Sequence, residues 1–240
     1  MKYMGSKARI AKHILPIILK DRKDGQCYVE PFVGGANMID KVDGWRIGAD
    51  INPYLIKALK LIRDNPQLIP KNNTEYTKAM YLAARESDLS NPVDCFAMFN
   101  YSFGAKFKGS WAANSRGSDY VKECVGNVLK QSKSLKGVEI KNSSYDKLTI
   151  PPQSIIYCDP PYKGTTKYNG TDSFNHDEFW QWCRDKVKEG HQVFISEYSA
   201  PDDFVCVWQK EINSNANAKA TSRAIEKLFI HESQLKGSNK

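Results

Sequence analysis

The stretch Ser154-Ile155-Ile156-Tyr157-Cys158-Asp159-Pro160-Pro161-Tyr162 gives this chain of 240 residues its first firm reading. Its apolar half is short and unbroken, the pattern of a strand covered on both faces in a parallel sheet. The other half sets a carboxylate, a rigid carbonyl and an aromatic ring at that strand's end. Proline lacks an N–H donor and fixes φ near about −65°, so the carbonyls around Pro160 and Pro161 stay out of any helix ladder and face a ligand. The product is a cradle for a planar amine.

Two upstream segments repeat the design. Gln26-Cys27-Tyr28-Val29-Glu30 and Trp45-Arg46-Ile47-Gly48-Ala49-Asp50-Ile51 are short strand-like runs with an acidic residue at or near the carboxyl end. Helical signals separate such runs: Pro53 opens Tyr54 to Arg63, and Pro92 opens Val93 to Phe99. A third helix starts at Asn175, with Glu178 three positions on, Phe174 and Phe179 placed as a hydrophobic staple, and Gly190 as its stop. Strands alternating with helices predict an α/β, doubly wound, mostly parallel sheet whose ligands sit at the strands' carboxyl ends. His191 to Tyr198, Phe204 to Ile212 and Lys227 to His231 read as further strands. The last two have no room for a crossover helix, so they are expected as an antiparallel pair at the sheet edge.

The crevice has candidate residues on each loop. Glu30-Pro31-Phe32-Val33-Gly34-Gly35 follows the first strand, and its paired glycines permit a tight turn and close approach to a ligand. The third glycine of a dinucleotide fingerprint is missing, which argues against nicotinamide or flavin. Asp50, about fifteen residues later, suits a ribose diol, since a carboxylate accepts from both hydroxyls. Lys2-Tyr3-Met4-Gly5-Ser6-Lys7 adds a ring, a flexible glycine and cations before a helix expected from about Ala8. His13, His176, His191 and His231 lack metal-ligand spacing, so no metal is expected.

Composition sets the surroundings. Lys and Arg number 35 against 27 Asp and Glu, a formal charge of +8 that favours a polyanionic partner. The six cysteines show no CxxC spacing and no secretory leader is seen, so the expectation is free thiols and a cytoplasmic protein. No apolar run approaches the roughly 20 residues needed to span a bilayer.

Taken together, Tyr3 to Lys7, Glu30 to Gly35 and Asp159 to Tyr162, in this order, resemble the Dam-like DNA adenine methyltransferases, which use S-adenosylmethionine. The resemblance spans essentially the whole chain, with Ala36 where many relatives have a third glycine and Tyr3 where tryptophan is common. It implies a class I methyltransferase fold and a cofactor site of Tyr3, Lys7, Glu30, Phe32, Gly34, Gly35, Asp50 and Asp159. It also implies catalysis by Asp159, Pro160, Pro161 and Tyr162 on an adenine flipped from double-stranded DNA. Residues 1–70 and 145–240 are expected to form the catalytic domain, and 71–144 an inserted, mainly helical target-recognition subdomain. Within the insertion, Lys106, Lys108 and Arg116 are expected on phosphates, and Asn100, Tyr101, Asn114 and Ser115 at base edges or in the gap left by the base. A monomer or weak dimer is expected. An RNA adenine methyltransferase, and a non-catalytic DNA-binding protein that kept the fold, stay open as alternatives.

Overall fold

The computed structural model describes residues 1–113, 117–163, 174–213 and 223–238. A turn of 3-10 helix at Lys7–Arg9, capped by the Ser6 hydroxyl, leads into α1 (Ala11–Ile18), slightly later than the sequence indicates. There follow β1 (Tyr28–Glu30), β2 (Arg46–Asp50), α2 (Pro53–Asp64), α3 (Lys78–Arg85), α4 (Pro92–Asn100), α5 (Tyr120–Leu135), β3 (Val138–Asn142) and β4 (Ile155–Cys158). The chain continues through α6 (His176–Lys188), β5 (Gln192–Glu197), β6 (Phe204–Asn213) and β7 (Arg223–His231).

The seven strands form one sheet in the order β3-β2-β1-β4-β5-β7-β6. Pairing is parallel from β3 to β5, with Val29 opposite both Ile47 and Ile156, and antiparallel at β5–β7 and β7–β6. This is the expected doubly wound sheet with its antiparallel edge pair. The order reverses between β1 and β4, and that switch point opens a crevice at the carboxyl ends.

Alternation along the strands explains the unbroken apolar runs. Tyr28, Ile155, Tyr157 and Phe194 enter the core shared with α1, α2, α4 and α5. Val29, Ile156, Cys158, Val193 and Ile195 enter the opposite core with Phe179, Trp180 and Cys183 of α6. Helices cover both faces, so every position of β4 is buried. Asn175 caps α6 by accepting from the Asp177 and Glu178 amides, and Phe174 lies 5.6 Å from Phe179, which is the expected staple.

The insertion needs a corrected boundary. Val138–Asn142, placed inside it, is the edge strand β3, parallel to β2 through five paired positions. Helices α4 and α5 belong to the same core as α1 and α2. Helices α3, α4 and α5 occupy the 71–135 stretch. Turn and helix signals around α5 hid a five-residue strand whose outward side chains are polar.

Candidate active site

Acidic residues from four neighbouring strands meet at the switch point. Glu30 closes β1, Asp50 closes β2, Asp159 follows β4 and Glu197 closes β5. Glu30 is buried and accepts from the Tyr28 hydroxyl at 2.9 Å; burial pushes its carboxyl well above the usual carboxylate range. Asp50 accepts from the Gly34 amide at 3.2 Å and from the Asn52 amide at 2.9 Å. Burial lifts it to about 6 against the pull of those two donors.

The paired glycines do make room, and the first group to use it is Tyr3. A Cβ on Gly34 would lie 2.9 Å from the Tyr3 ring, and one on Gly35 2.6 Å from Tyr3 Cβ. Gly34 and Ala36 both take the left-handed conformation, with φ of 48° and 56°. The loop is braced from α5, where the Gln131 amide donates to the carbonyls of Gly35 and Ala36 at 3.0 and 3.1 Å. Helix α5 thus supports the glycine loop. Phe32 points the other way, packing 5.3 Å from Tyr145 and 5.9 Å from Phe174, and acts as a wall of the aromatic cluster over α6.

Lys7 joins the motif residues from the chain's start. Its Nζ lies 3.1 Å from Asp159 Oδ1, 3.6 Å from Glu226 Oε1 and 4.5 Å from the centre of the Tyr162 ring. Asp159 is raised by burial, with the Lys7 ammonium pulling the other way. The Tyr162 hydroxyl donates to Glu226 at 2.8 Å, and Tyr198 meets its ring edge-on at 4.7 Å. Glu197 accepts from the amides of Tyr198 and Lys163 at 2.8 and 3.3 Å, fixing the chain just past Tyr162. Burial raises it to about 7.

Glu197 and Glu226 escaped the sequence reading. Glu197 obeys the same rule as Glu30 and Asp50, an acid at a strand's carboxyl end, and is recoverable by applying that rule to His191–Tyr198. Glu226 lies two and four residues before Leu228 and Ile230, on the buried side of an alternating strand. A carboxylate at such a position is the signal.

Two expected DNA contacts are corrected. Asn100 and Tyr101 are fully buried. Asn100 accepts from the Lys2 amide at 3.0 Å and donates to the Phe96 carbonyl at 3.0 Å. Tyr101 donates to the Pro70 carbonyl at 3.3 Å and packs among Tyr76, Phe96 and Trp111. Their polar groups hold the core together, where a duplex has no access. Lys106 is exposed and Lys108 half-buried, its Nζ 3.5 Å from the Ser87 carbonyl. Asn114, Ser115 and Arg116 lie outside the described residues.

Phe103, by contrast, is 68% exposed on a tight loop. Its amide donates to the Ser110 carbonyl at 2.8 Å, and Ser102 pairs with Trp111 across the loop. Gly104, Ala105 and Lys108 turn it with positive φ, and the Tyr81 hydroxyl pins the Gly109 carbonyl at 2.9 Å. Phe107 seats the loop on Phe99 at 4.7 Å, and Phe99 lies 6.1 Å from Tyr3. A chain of aromatic contacts therefore runs from the exposed loop to the glycine pair.

A parallel sheet reversing between β1 and β4, with a ribose-type carboxylate on β2 and Asp-Pro-Pro-Tyr beyond β4, defines a class I methyltransferase site. The donor set fits S-adenosylmethionine: Asp50 for the diol and, around it, acids suited to a cationic ligand. The chain belongs to the D12 class N6 adenine-specific DNA methyltransferase family, whose model matches residues 3–229. It is an S-adenosylmethionine-dependent DNA methyltransferase of adenine-specific type. A curated relative, the type II methyltransferase M.MjaIII of Methanocaldococcus jannaschii, is 26% identical over 213 residues, covering 75% of this chain and 74% of the relative. The crystal structure of SMU.472 complexed with SAH aligns at 10% identity with a TM-score of 0.34, over 94% of this chain. This chain spans about half, 53%, of that one. Among the described residues, none form a group of His, Cys, Asp or Glu arranged for a metal ion, and no helix is long and apolar enough to cross a membrane.

Proposed function

We propose that this enzyme methylates the exocyclic amine of an adenine turned out of double-stranded DNA, with Asp159, Pro160, Pro161 and Tyr162 holding the base. The observation that carries this reading is the nitrogen already there: the Lys7 ammonium lies against Asp159 and over the Tyr162 ring. A carboxylate and an aromatic face at those distances are what an aminopurine needs.

The bound cofactor supplies an activated methyl group on a sulfonium, so the protein needs no nucleophile of its own. Asp159 and the Pro160 carbonyl each accept one N–H of the amine, drawing its lone pair out of the ring and toward the methyl carbon. The same acceptors would stabilise the positive charge that grows on nitrogen as its bond to the methyl carbon forms and the methyl–sulfur bond breaks, the electron pair staying on sulfur as a neutral thioether. Asp159 is then the nearest base for the proton that the methylated nitrogen sheds. Tyr162 stacks on the base, its ring fixed by Tyr198 and by its hydrogen bond to Glu226. Tyr3 on the glycine pair and the diol acceptor Asp50 support the cofactor side.

Turning a base out costs a few kcal/mol, which contacts to the duplex must offset. Phe103 is well placed to fill the vacated stack, because it is an exposed ring on a braced loop, and Lys106 to meet phosphate.

Asp159→Ala is expected to cut methyl transfer by a factor on the order of 10²–10³ or more while S-adenosylmethionine still binds. The assay is transfer of labelled methyl groups to amplified, hence unmethylated, duplex DNA, with N6-methyladenine identified in the digest. Wild-type transfer to transcribed RNA in place of DNA, or full activity in the variant, would sink the proposal.

A further inference from the structure

Two carboxylates, the partly exposed Asp159 and the buried Glu226, share one ammonium at the base site. Lys7 Nζ stands 3.1 Å from Asp159 and 3.6 Å from Glu226, and the side chains of Lys7 and Glu226 are 9% and 7% exposed. Glu226 comes from β7, whose pairing with β5 sets Lys227 opposite Glu197. One of its oxygens faces the ammonium, and the other accepts from the Tyr162 hydroxyl at 2.8 Å.

The ammonium sits on the carboxylate and over the ring that the adenine needs. Amine and ammonium cannot both occupy that place, so base entry must move the lysine. A buried cation left without a counter-charge is strongly disfavoured. Lysine's flexible stem lets its head group turn from one acceptor to another nearby. Glu226 is that acceptor, already in reach, and it holds Tyr162 in place while the exchange occurs.

We infer that Glu226 is a positioning residue for methyl transfer: it takes over the Lys7 ammonium when the substrate amine replaces it on Asp159. The inference rests on the reading of Asp159 and Tyr162 as the base site. Glu226→Gln keeps an acceptor for the Tyr162 hydroxyl and removes the charge that the lysine needs. Its kcat/KM for unmethylated duplex DNA is expected to fall at least about tenfold. Its affinity for S-adenosylmethionine, measured by calorimetry, stays within about twofold of wild type.

The deciding comparison adds Lys7→Met. With no ammonium to relocate, Glu226→Gln should change kcat/KM less than about twofold in the Lys7→Met background. Glu226→Asp, which keeps the charge, should recover most of the loss in the parent. If Lys7→Met turns over too slowly to follow, duplex affinity with the unreactive cofactor analogue sinefungin is measured in the same four proteins. Equal losses in both backgrounds, or no loss in Glu226→Gln, would overturn the inference. Absence of methyl transfer to DNA by the wild type would instead overturn the proposed function, so the two failures are distinct.

Discussion

Glu197 illustrates how a single buried carboxyl leaves a mark on stability. Its folded value of about 7 lies above its ordinary 4.5, so between those values the folded protein keeps a proton that the unfolded chain has lost. Its protonated form therefore favours the fold at low pH, and that contribution disappears as pH rises through about 7. Glu197→Gln mimics the protonated form at every pH. Its unfolding free energy relative to wild type should rise between about pH 5 and about pH 8 by an amount on the order of 2 kcal/mol. Urea unfolding across that range checks this, and a pH-independent difference would contradict it. The same kind of detail accounts for Ala36. The third position of the glycine loop is left-handed at φ 56°, a conformation that glycine adopts freely and alanine rarely, so Ala36 holds a strained place in the loop.

Among the elements, α2 shows how caps tie a helix to a binding loop. Asn52 accepts from the Tyr54 and Leu55 amides at 3.0 and 3.2 Å, while its own amide donates to Asp50. Pro53 then occupies the first turn, as the sequence indicates. Asn52→Ala is expected to cost about 1 kcal/mol of stability, seen as a lower denaturation midpoint at unchanged slope. It should also weaken S-adenosylmethionine binding several-fold, because the turn carrying Asp50 loses its anchor. The loop carrying Phe103 makes a second element-level case. Residues Asn100 and Tyr101, polar and aromatic and close to lysines, read as a DNA surface. Yet α4 is buried on every face from Cys95 to Asn100, and the exposed ring is the one at the turn of Gly104 and Ala105.

For the whole molecule, the net charge of +8 and the braced loop make a joint expectation about DNA. Phe103→Ala should weaken binding to duplex DNA by about 1–3 kcal/mol with S-adenosylmethionine affinity unchanged. Lys106→Ala, if that lysine meets phosphate, should reduce affinity evenly across sequences and lower the slope of log affinity against log salt by about 0.9. Filter binding over a salt series measures both, and an unchanged slope would return Lys106 to an ordinary solvated surface. Much of this molecule was legible in its residues. The runs ending at Glu30, Asp50 and Asp159, the helix starts at Pro53, Pro92 and Asn175, and the edge pair near the end have local causes: burial on two faces, missing donors, side-chain caps. Strand β3 was not legible, since five residues with polar outward positions look like a loop until β2 lies beside them.

The order of three short motifs was enough to specify a parallel sheet, a cofactor crevice and an amine cradle, because each depends on residues adjacent in the chain. Which groups share the cradle depends on pairing between distant segments. Lys7 from the start, Asp159 beyond β4 and Glu226 of β7 meet because the sheet reverses at β1 and β4 and then takes β7 beside β5. Sequence spacing carries no record of such a meeting, as long-range register is set by the burial of whole strands and helices.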